Sequence, residues 1–302
     1  MTIDRRGFLY GLGAYLLWGL FPLYWPLLEP AGATEILAHR IVWSLGFVAL
    51  LLTTRRQSSG WLRHVATQPR TLVTLALAAV IIAVNWLTYI WGVNNGHVVE
   101  TSLGYFINPL VTVLFGVLIF AERLRRPQWT AVGIAAVAVV ILTVDYGRLP
   151  WIALTLAISF ASYGVLKKTS GVGAVEGLTV ETAVLVLPAL GFLLVSEAGG
   201  SGTFGHAGTL NALLLAGTGV VTAVPLLLFA GAAQRIPLSM IGILQYLAPT
   251  LQFLFGVLVF HEPVPPVRLA GFALVWVALV IFTVDGITHH RRQLRLAVEA
   301  VT

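Results

Sequence analysis

Apolar runs of about twenty residues alternate with short charged or turn-forming clusters along the whole chain. They predict ten membrane spans, at 7–27, 34–53, 71–92, 101–120, 128–145, 149–166, 178–196, 208–231, 238–260 and 266–285. Most are near the roughly 20 residues that cross about 30 Å of hydrocarbon at 1.5 Å per residue. The fifth and sixth are the shortest. Prolines interrupt several spans, at Pro22, Pro109, Pro188, Pro225 and Pro249. Each removes a backbone donor and frees a carbonyl that a neighbouring helix or water must satisfy. The first span follows Asp4-Arg5-Arg6, as a signal peptide would. It has no small-residue cleavage site and contains Trp18, Pro22 and Trp25, so a retained helix is expected.

The pattern is written twice. Pro109 is followed at 115–122 by Phe-Gly-Val-Leu-Ile-Phe-Ala-Glu, and Pro249 at 255–262 by Phe-Gly-Val-Leu-Val-Phe-His-Glu. Val144-Asp145 returns as Val284-Asp285 at the same spacing of 140 residues. Five spans per copy is an odd number, so the second copy must cross in the opposite sense. The expected fold is an all-α integral membrane protein of ten transmembrane helices in two inverted five-helix repeats, 7–145 and 149–285, followed by a basic tail over 286–302. Inverted repeats are a frequent plan for secondary transporters.

Composition removes the soluble classes. Of 302 residues 58% are hydrophobic and only 10% charged, against about 25% charged in soluble domains. The mean hydropathy is +0.91. A formal charge of +6 invites a nucleic-acid partner, but the basic residues form short runs between spans, where they set topology and meet anionic lipid. With the N-terminus in the cytoplasm, fifteen Lys and Arg fall on that side and two, Arg148 and Arg268, on the other, while Arg40 lies inside a span. That bias predicts a multi-pass protein of the cytoplasmic membrane with both termini cytoplasmic, in contact with lipid and not with nucleic acid. Cysteine is absent, which excludes disulfides and thiolate chemistry; no metal or cofactor is expected. No glycine-rich phosphate loop with its lysine is present, which argues against an ATP-driven pump.

Several motifs resemble one family closely. They are Glu35-Ile-Leu-Ala-His39-Arg40-Ile-Val-Trp43-Ser44, the stretch from Asn85-Trp86 through Tyr89, Asn94-Asn95-Gly96-His97 and Glu100 to Tyr105-Phe-Ile-Asn108-Pro109-Leu110, and Leu244-Gln245-Tyr246-Leu247-Ala248-Pro249-Thr250-Leu251-Gln252-Phe253. The chain resembles the RarD proteins of the drug/metabolite transporter superfamily, EamA type, over approximately residues 5–286. The resemblance implies an inner-membrane carrier that exports small polar or amphipathic metabolites or drugs from a central cavity between inverted halves.

The candidate residues carry competing readings. Glu35 and His39 are i,i+4 and share a helix face, while Arg40 sits about 140° from Glu35. They form an outer binding or gating cluster able to exchange a proton, or a structural ion pair with Arg40 snorkelling. Asn85 and Tyr89 share a face deep in span 3 and are cavity candidates; Asn94-Asn95-Gly96 reads as a turn. Tyr105 and Asn108 precede Pro109, and Gln245, Tyr246 and Gln252 bracket Pro249. Hydrogen-bonding side chains beside two mid-membrane helix breaks suit a substrate site, or a kink packed by interhelical hydrogen bonds. Trp18, Trp25, Trp86, Trp91 and Tyr24 are candidates for stacking on a substrate, or belt residues. Glu181 is a coupling-proton site or an interface-anchored acid; Glu122 and Glu262 are expected to pair with arginines or cap a neighbouring helix. Gly116 and Gly256 mark close helix packing.

The leading function is a secondary transporter for a small-molecule substrate, with proton coupling and a homodimer both left open. The alternatives are an integral-membrane enzyme acting on a lipid or lipid-soluble substrate, and a non-transporting scaffold. The enzyme is disfavoured because the seven histidines show no metal or nucleophile spacing.

Overall fold

The computed structural model describes residues 4–54, 65, 67–121, 123–233, 235–236, 240–241 and 244–299. Glu122 lies outside them, so its expected role has no structural account here. The helices of twelve residues or more are α1 (Arg5–Gly19), α2 (Ala33–Thr54), α3 (Pro69–Asn94), α4 (Val98–Phe120), α5 (Arg126–Tyr146), α6 (Trp151–Ser170), α7 (Ala174–Ala198), α8 (Thr209–Ala233), α9 (Leu247–Leu258) and α10 (Pro266–Glu299). Asp4 caps α1 by accepting from the Arg6 and Gly7 N–H groups at 2.9 and 3.2 Å. Proline near the first turn opens α3 and α5, where its missing donor costs nothing. Gly147, at φ 63°, closes α5.

The protein is all-α and multi-spanning. Among the described residues seven helices are long and apolar enough to cross a membrane: α2, α3, α4, α5, α7, α8 and α10. Joining α1 to Phe21–Leu28 across a 43° bend gives eight. The two remaining expected spans fall short: Trp151–Lys167 of α6 and the whole of α9 are shorter apolar helices. The ninth span, expected as 238–260, is broken by a turn at Gln245–Tyr246, after helical residues at 240–241 and 244.

Proline acts differently in the two copies. Pro109 does not break its helix, because α4 continues unbroken from Val98 to Phe120. The repeated Phe-Gly-Val-Leu motif ends the same way both times, with a left-handed residue, Ala121 at φ 53° and His261 at φ 52°. That conformation is costly for a residue with a side chain, so both motifs are stops for the helices that carry them. The tail expected after 285 continues α10 as helix to Glu299.

Packing follows a regular scheme. α1 lies on α8 and α9, and α6 on α3 and α4; α2 contacts α7 and α8, α3 contacts α7, α4 contacts α9, and α5 contacts α10. α5 and α10 run antiparallel, tied at one end by Arg125–Asp285 at 2.5 Å and at the other by Arg268–Asp145 at 2.8 Å. One core gathers Trp25, Ile36, Ile90, Leu156 and Leu215; another gathers Leu103, Phe106, Leu142, Phe272 and Val275. Large apolar side chains also cover the outside, Val144 at 76% and Leu187 at 75% exposure. Water would penalise such a surface and hydrocarbon does not.

Candidate functional site

Arg40 is the centre of the most unusual chemistry. It lies seven residues into α2, about 10 Å along the helix, and is buried. Its Nε donates to Thr222 Oγ1 of α8 at 2.8 Å. Its guanidinium carbon stands 4.0 Å from the Trp86 ring centroid, 5.3 Å from Trp25 and 5.7 Å from Phe21. The Tyr89 and Tyr105 phenols share its electrostatic environment. Among the described residues no carboxylate forms an ion pair with it. Desolvating an unpaired cation costs several kcal/mol, and desolvated cation–π contacts return about 2 kcal/mol or more each. The Arg40 Nη1 atom makes no hydrogen bond, and neither do the buried Trp25 Nε1 and Tyr89 hydroxyl.

Asn85 extends this site toward α6. Its Nδ2 donates to the Leu156 carbonyl at 3.0 Å and to Ser159 Oγ at 2.9 Å. Its Oδ1 accepts from the Tyr105 hydroxyl at 3.3 Å, and Tyr105 meets the edge of Tyr89 with centroids 5.5 Å apart. Arg40, Asn85, Tyr89 and Tyr105 are thus brought together from α2, α3 and α4.

The other expected residues divide. Glu35 accepts from the Thr203 N–H at 2.7 Å and from its hydroxyl at 3.0 Å. His39 stacks on Phe204 at 4.8 Å, and its Nδ1 accepts from Trp43 Nε1 at 3.3 Å. Both therefore hold the loop between α7 and α8, on a face of α2 distinct from that of Arg40. Asn108 donates to the Ala157 carbonyl at 3.1 Å, tying α4 to α6. Gln252 donates to the Trp18 carbonyl at 3.2 Å, tying α9 to α1. Gln245 and Tyr246 form the turn at the break before α9. Among the described residues, no bond from Gln245, Tyr246 or Gln252 reaches Arg40.

Carboxylates elsewhere clamp helix ends. Glu262 accepts from Val98 N at 2.5 Å and Val99 N at 2.8 Å, capping α4 from the α9–α10 connection. Burial holds its carboxyl above the usual carboxylate range, against the pull of those N–H groups and Arg268. Glu100 pairs with Arg148 at 2.8 Å and accepts from Ile152 N at 3.2 Å. Glu181, buried in α7, accepts from Lys167 at 2.8 Å and Tyr163 at 3.1 Å. Among the described residues no group of three or more His, Asp or Glu is placed to hold a metal ion. A groove on the outside of α3 and α6, about 440 Å³, is lined by Val80, Val84, Leu149, Trp151, Ile158 and Ser159, so the hydroxyl that meets Asn85 also borders the membrane flank.

Reading the sequence missed Thr222 and Ser159, the partners of Arg40 and Asn85. The available signal was a hydroxyl inside an apolar run, with Thr218 and Thr222 at i,i+4 on α8.

Comparison with known proteins gives one family. The model of the EamA-like transporter family matches residues 5–144. Protein RarD of Streptomyces exfoliatus is 58% identical over 300 residues, covering 99% of this chain and 95% of its own. The uncharacterized transporter YojE of Bacillus subtilis (strain 168) is 46% identical over 290 residues, with 95% and 96% covered. The chloramphenicol-sensitive protein RarD of Pseudomonas aeruginosa is 33% identical over 301 residues, with 98% and 99% covered. A solved crystal structure superposes with a TM-score of 0.58 at 17% identity, over 91% of this chain and 96% of that one; it speaks for the fold alone.

Proposed function

The chain belongs to the RarD family of the EamA-like transporters, and on that premise we propose that it is a secondary carrier exporting small amphipathic metabolites or drugs by alternating access. In this reading its ten helices form two inverted halves, 7–145 and 149–285, in the cytoplasmic membrane with both termini cytoplasmic. One observation carries it. Asp145 and Asp285 stand 140 residues apart on matching helices, α5 and α10, yet those helices lie antiparallel with each aspartate paired to the other's arginine. The packing scheme supports the same reading: exchanging each helix with the one five places later turns the contacts of α1 with α8 and α9 into those of α6 with α3 and α4. The fifteen-to-two distribution of basic residues supports the orientation.

Small interhelical ties near one end suit a gate. Glu262 on the α4 N-terminus, Arg268–Asp145 and Glu35–Thr203 each join segments from different halves. Opening that end would exchange these charge-assisted bonds for water, at a cost of about 1.5–3 kcal/mol each. The buried polar group around Arg40 and Asn85 serves as the substrate site, while Glu35 and His39, on another face of α2, fasten the α7–α8 loop that closes this end. Gln245, Tyr246 and Gln252 sit where the second half can bend.

Purified protein in liposomes should move an amphipathic solute without ATP, and faster under an imposed pH gradient. Glu35→Gln, Asn85→Ala and Gln245→Ala should each cut flux severalfold at normal protein level. No flux across a broad metabolite panel would overturn the carrier, and flux indifferent to the gradient would remove proton exchange.

A further inference from the structure

We propose that the group recognised by Arg40 is a carboxylate, so that the carried solute is a small organic acid with an apolar body. The inference rests on the carrier reading and deepens it. Three buried polar atoms around this point make no hydrogen bond: Arg40 Nη1, Trp25 Nε1 and the Tyr89 hydroxyl. The first two can only donate, and the third can donate. A site composed of surplus donors around an uncompensated positive charge suits a group that only accepts and carries negative charge. An ionised carboxylate is such a group.

Geometry favours the same class. Thr222 holds Nε at 2.8 Å, and the Trp86 ring lies 4.0 Å from the guanidinium carbon. With Nε held and one face against the indole, the Nη edge is left to act as a planar fork, which matches the two oxygens of a carboxylate. The walls are Phe21, Trp25 and Trp86, apolar rings that suit the body of an amphipathic acid. Charge selects between acid classes. Among the described residues no acidic side chain pairs with Arg40, and Glu35, one turn away, is already bonded to Thr203. A second cationic group on the solute, such as an ammonium, would therefore find no partner here. A dianion such as a phosphate monoester would leave one charge unbalanced in a low-dielectric site. A monocarboxylate neutralises the arginine and gives a loaded site without net charge, which is the cheaper species to carry across hydrocarbon.

The test uses the purified full chain in detergent and three matched pairs: benzoate, phenylacetate and indole-3-acetate, each against its own amide. Thermal unfolding is followed against ligand concentration, since a ligand stabilises the state that binds it. The acids should bind at least about tenfold more tightly than their amides, the margin expected for hydrogen bonds to a charged group. Arg40→Met should abolish that preference. If Arg40→Met does not fold, Arg40→Lys, which keeps the charge and loses the fork, should reduce it severalfold. Equal stabilisation by acid and amide in every pair, or an acid preference undiminished in Arg40→Lys, overturns the proposal. Liposome flux separates the two readings. Carriage of neutral solutes without acid preference defeats the carboxylate and leaves the carrier. Arg40-dependent acid binding with no flux of any solute defeats the carrier and leaves the site.

Discussion

Pro109 and Pro249 occupy the same step of the two copies, yet α4 runs straight through the first while the helix around the second gives way at Gln245–Tyr246. The surroundings differ. On the α4 side Gly104 brings the helix onto the α6 backbone, where an added Cβ would meet the Ala153 carbonyl oxygen at 2.8 Å. Asn108 donates across to Ala157, Tyr105 to Asn85, and Leu103, Phe106 and Leu110 are buried around the proline. On the α9 side Gln245 and Tyr246 are half-buried, and Gln252 supplies the tie to α1. A proline removes one hydrogen bond wherever it stands. Whether the helix then parts depends on how many neighbours hold its two halves in line. The first copy is braced by two cross-helix side-chain bonds near its proline, from Tyr105 and Asn108, and the second by one, from Gln252.

The largest effect should come from breaking the brace. Gly104→Ala drives a methyl into the Ala153 backbone, which cannot move aside as a flexible side chain would. A loss of about 1–3 kcal/mol is expected, read as a lower midpoint of thermal unfolding in detergent. Gly256→Ala, with a Cβ 2.7 Å from Val99 Cγ2 and 3.1 Å from its backbone nitrogen, should act likewise where α9 meets α4. If both variants unfold as wild type does, the close approaches are not what aligns these helices.

Asn108→Leu removes one cross-link of the brace and leaves the Ala157 carbonyl without that donor. Interhelical bonds of this kind average about 0.6 kcal/mol in membranes, so a smaller drop in midpoint should follow. Pro249→Ala sharpens the comparison from the other side. It restores an N–H that can reach the Gln245 carbonyl, should close the helix break and should slow liposome flux severalfold with stability changed by less than about 1 kcal/mol. Pro109→Ala, in a helix already continuous, should leave flux near wild type. Equal slowing by both alanines would mean that the break before α9 is not the moving part.

Glu262 joins the two regions through protons. Burial holds its carboxyl above the ordinary value of 4.5, so the folded protein keeps a proton that the unfolded chain has released. The sign follows: this contribution to stability is greatest at low pH and is lost as pH rises through the raised value. Glu262→Gln should flatten that part of a stability–pH profile. A wild-type profile rising over the same range would show that the Val98 and Val99 N–H bonds outweigh burial. The smallest effect belongs to His206, exposed and bonded to Glu197 at 2.7 Å. His206→Asn should leave both flux and midpoint unchanged within error.

Much of the fold was legible in the sequence because the cost of exposing a backbone to lipid leaves few ways to cross it. Apolar runs placed α2, α3, α4, α5, α7, α8 and α10 within a few residues of their ends, apart from the extension of α10 to Glu299. Ala121 and His261, at matching positions of the 140-residue echo, share one backbone conformation. What hydropathy could not supply was the direction each side chain takes. A helix in water shows its buried face as an apolar stripe, but a membrane helix is apolar on the lipid side as well, so the stripe is missing. Arg40 and Asn85 stood out, while Thr222 and Ser159, the hydroxyls they bond, passed as ordinary members of apolar runs.

The sequence by itself determined the class of the protein, its helices and its repetition, since chain length, hydropathy and spacing are one-dimensional quantities. Only the tertiary structure decided which proline stands beside a helix break and which donors surround Arg40. Both depend on neighbours supplied by other helices: Ala157 and Ala153 beside α4, and Thr222, Trp25 and Trp86 around the guanidinium. Such neighbours lie far apart along the chain, and packing alone brings them within bonding distance.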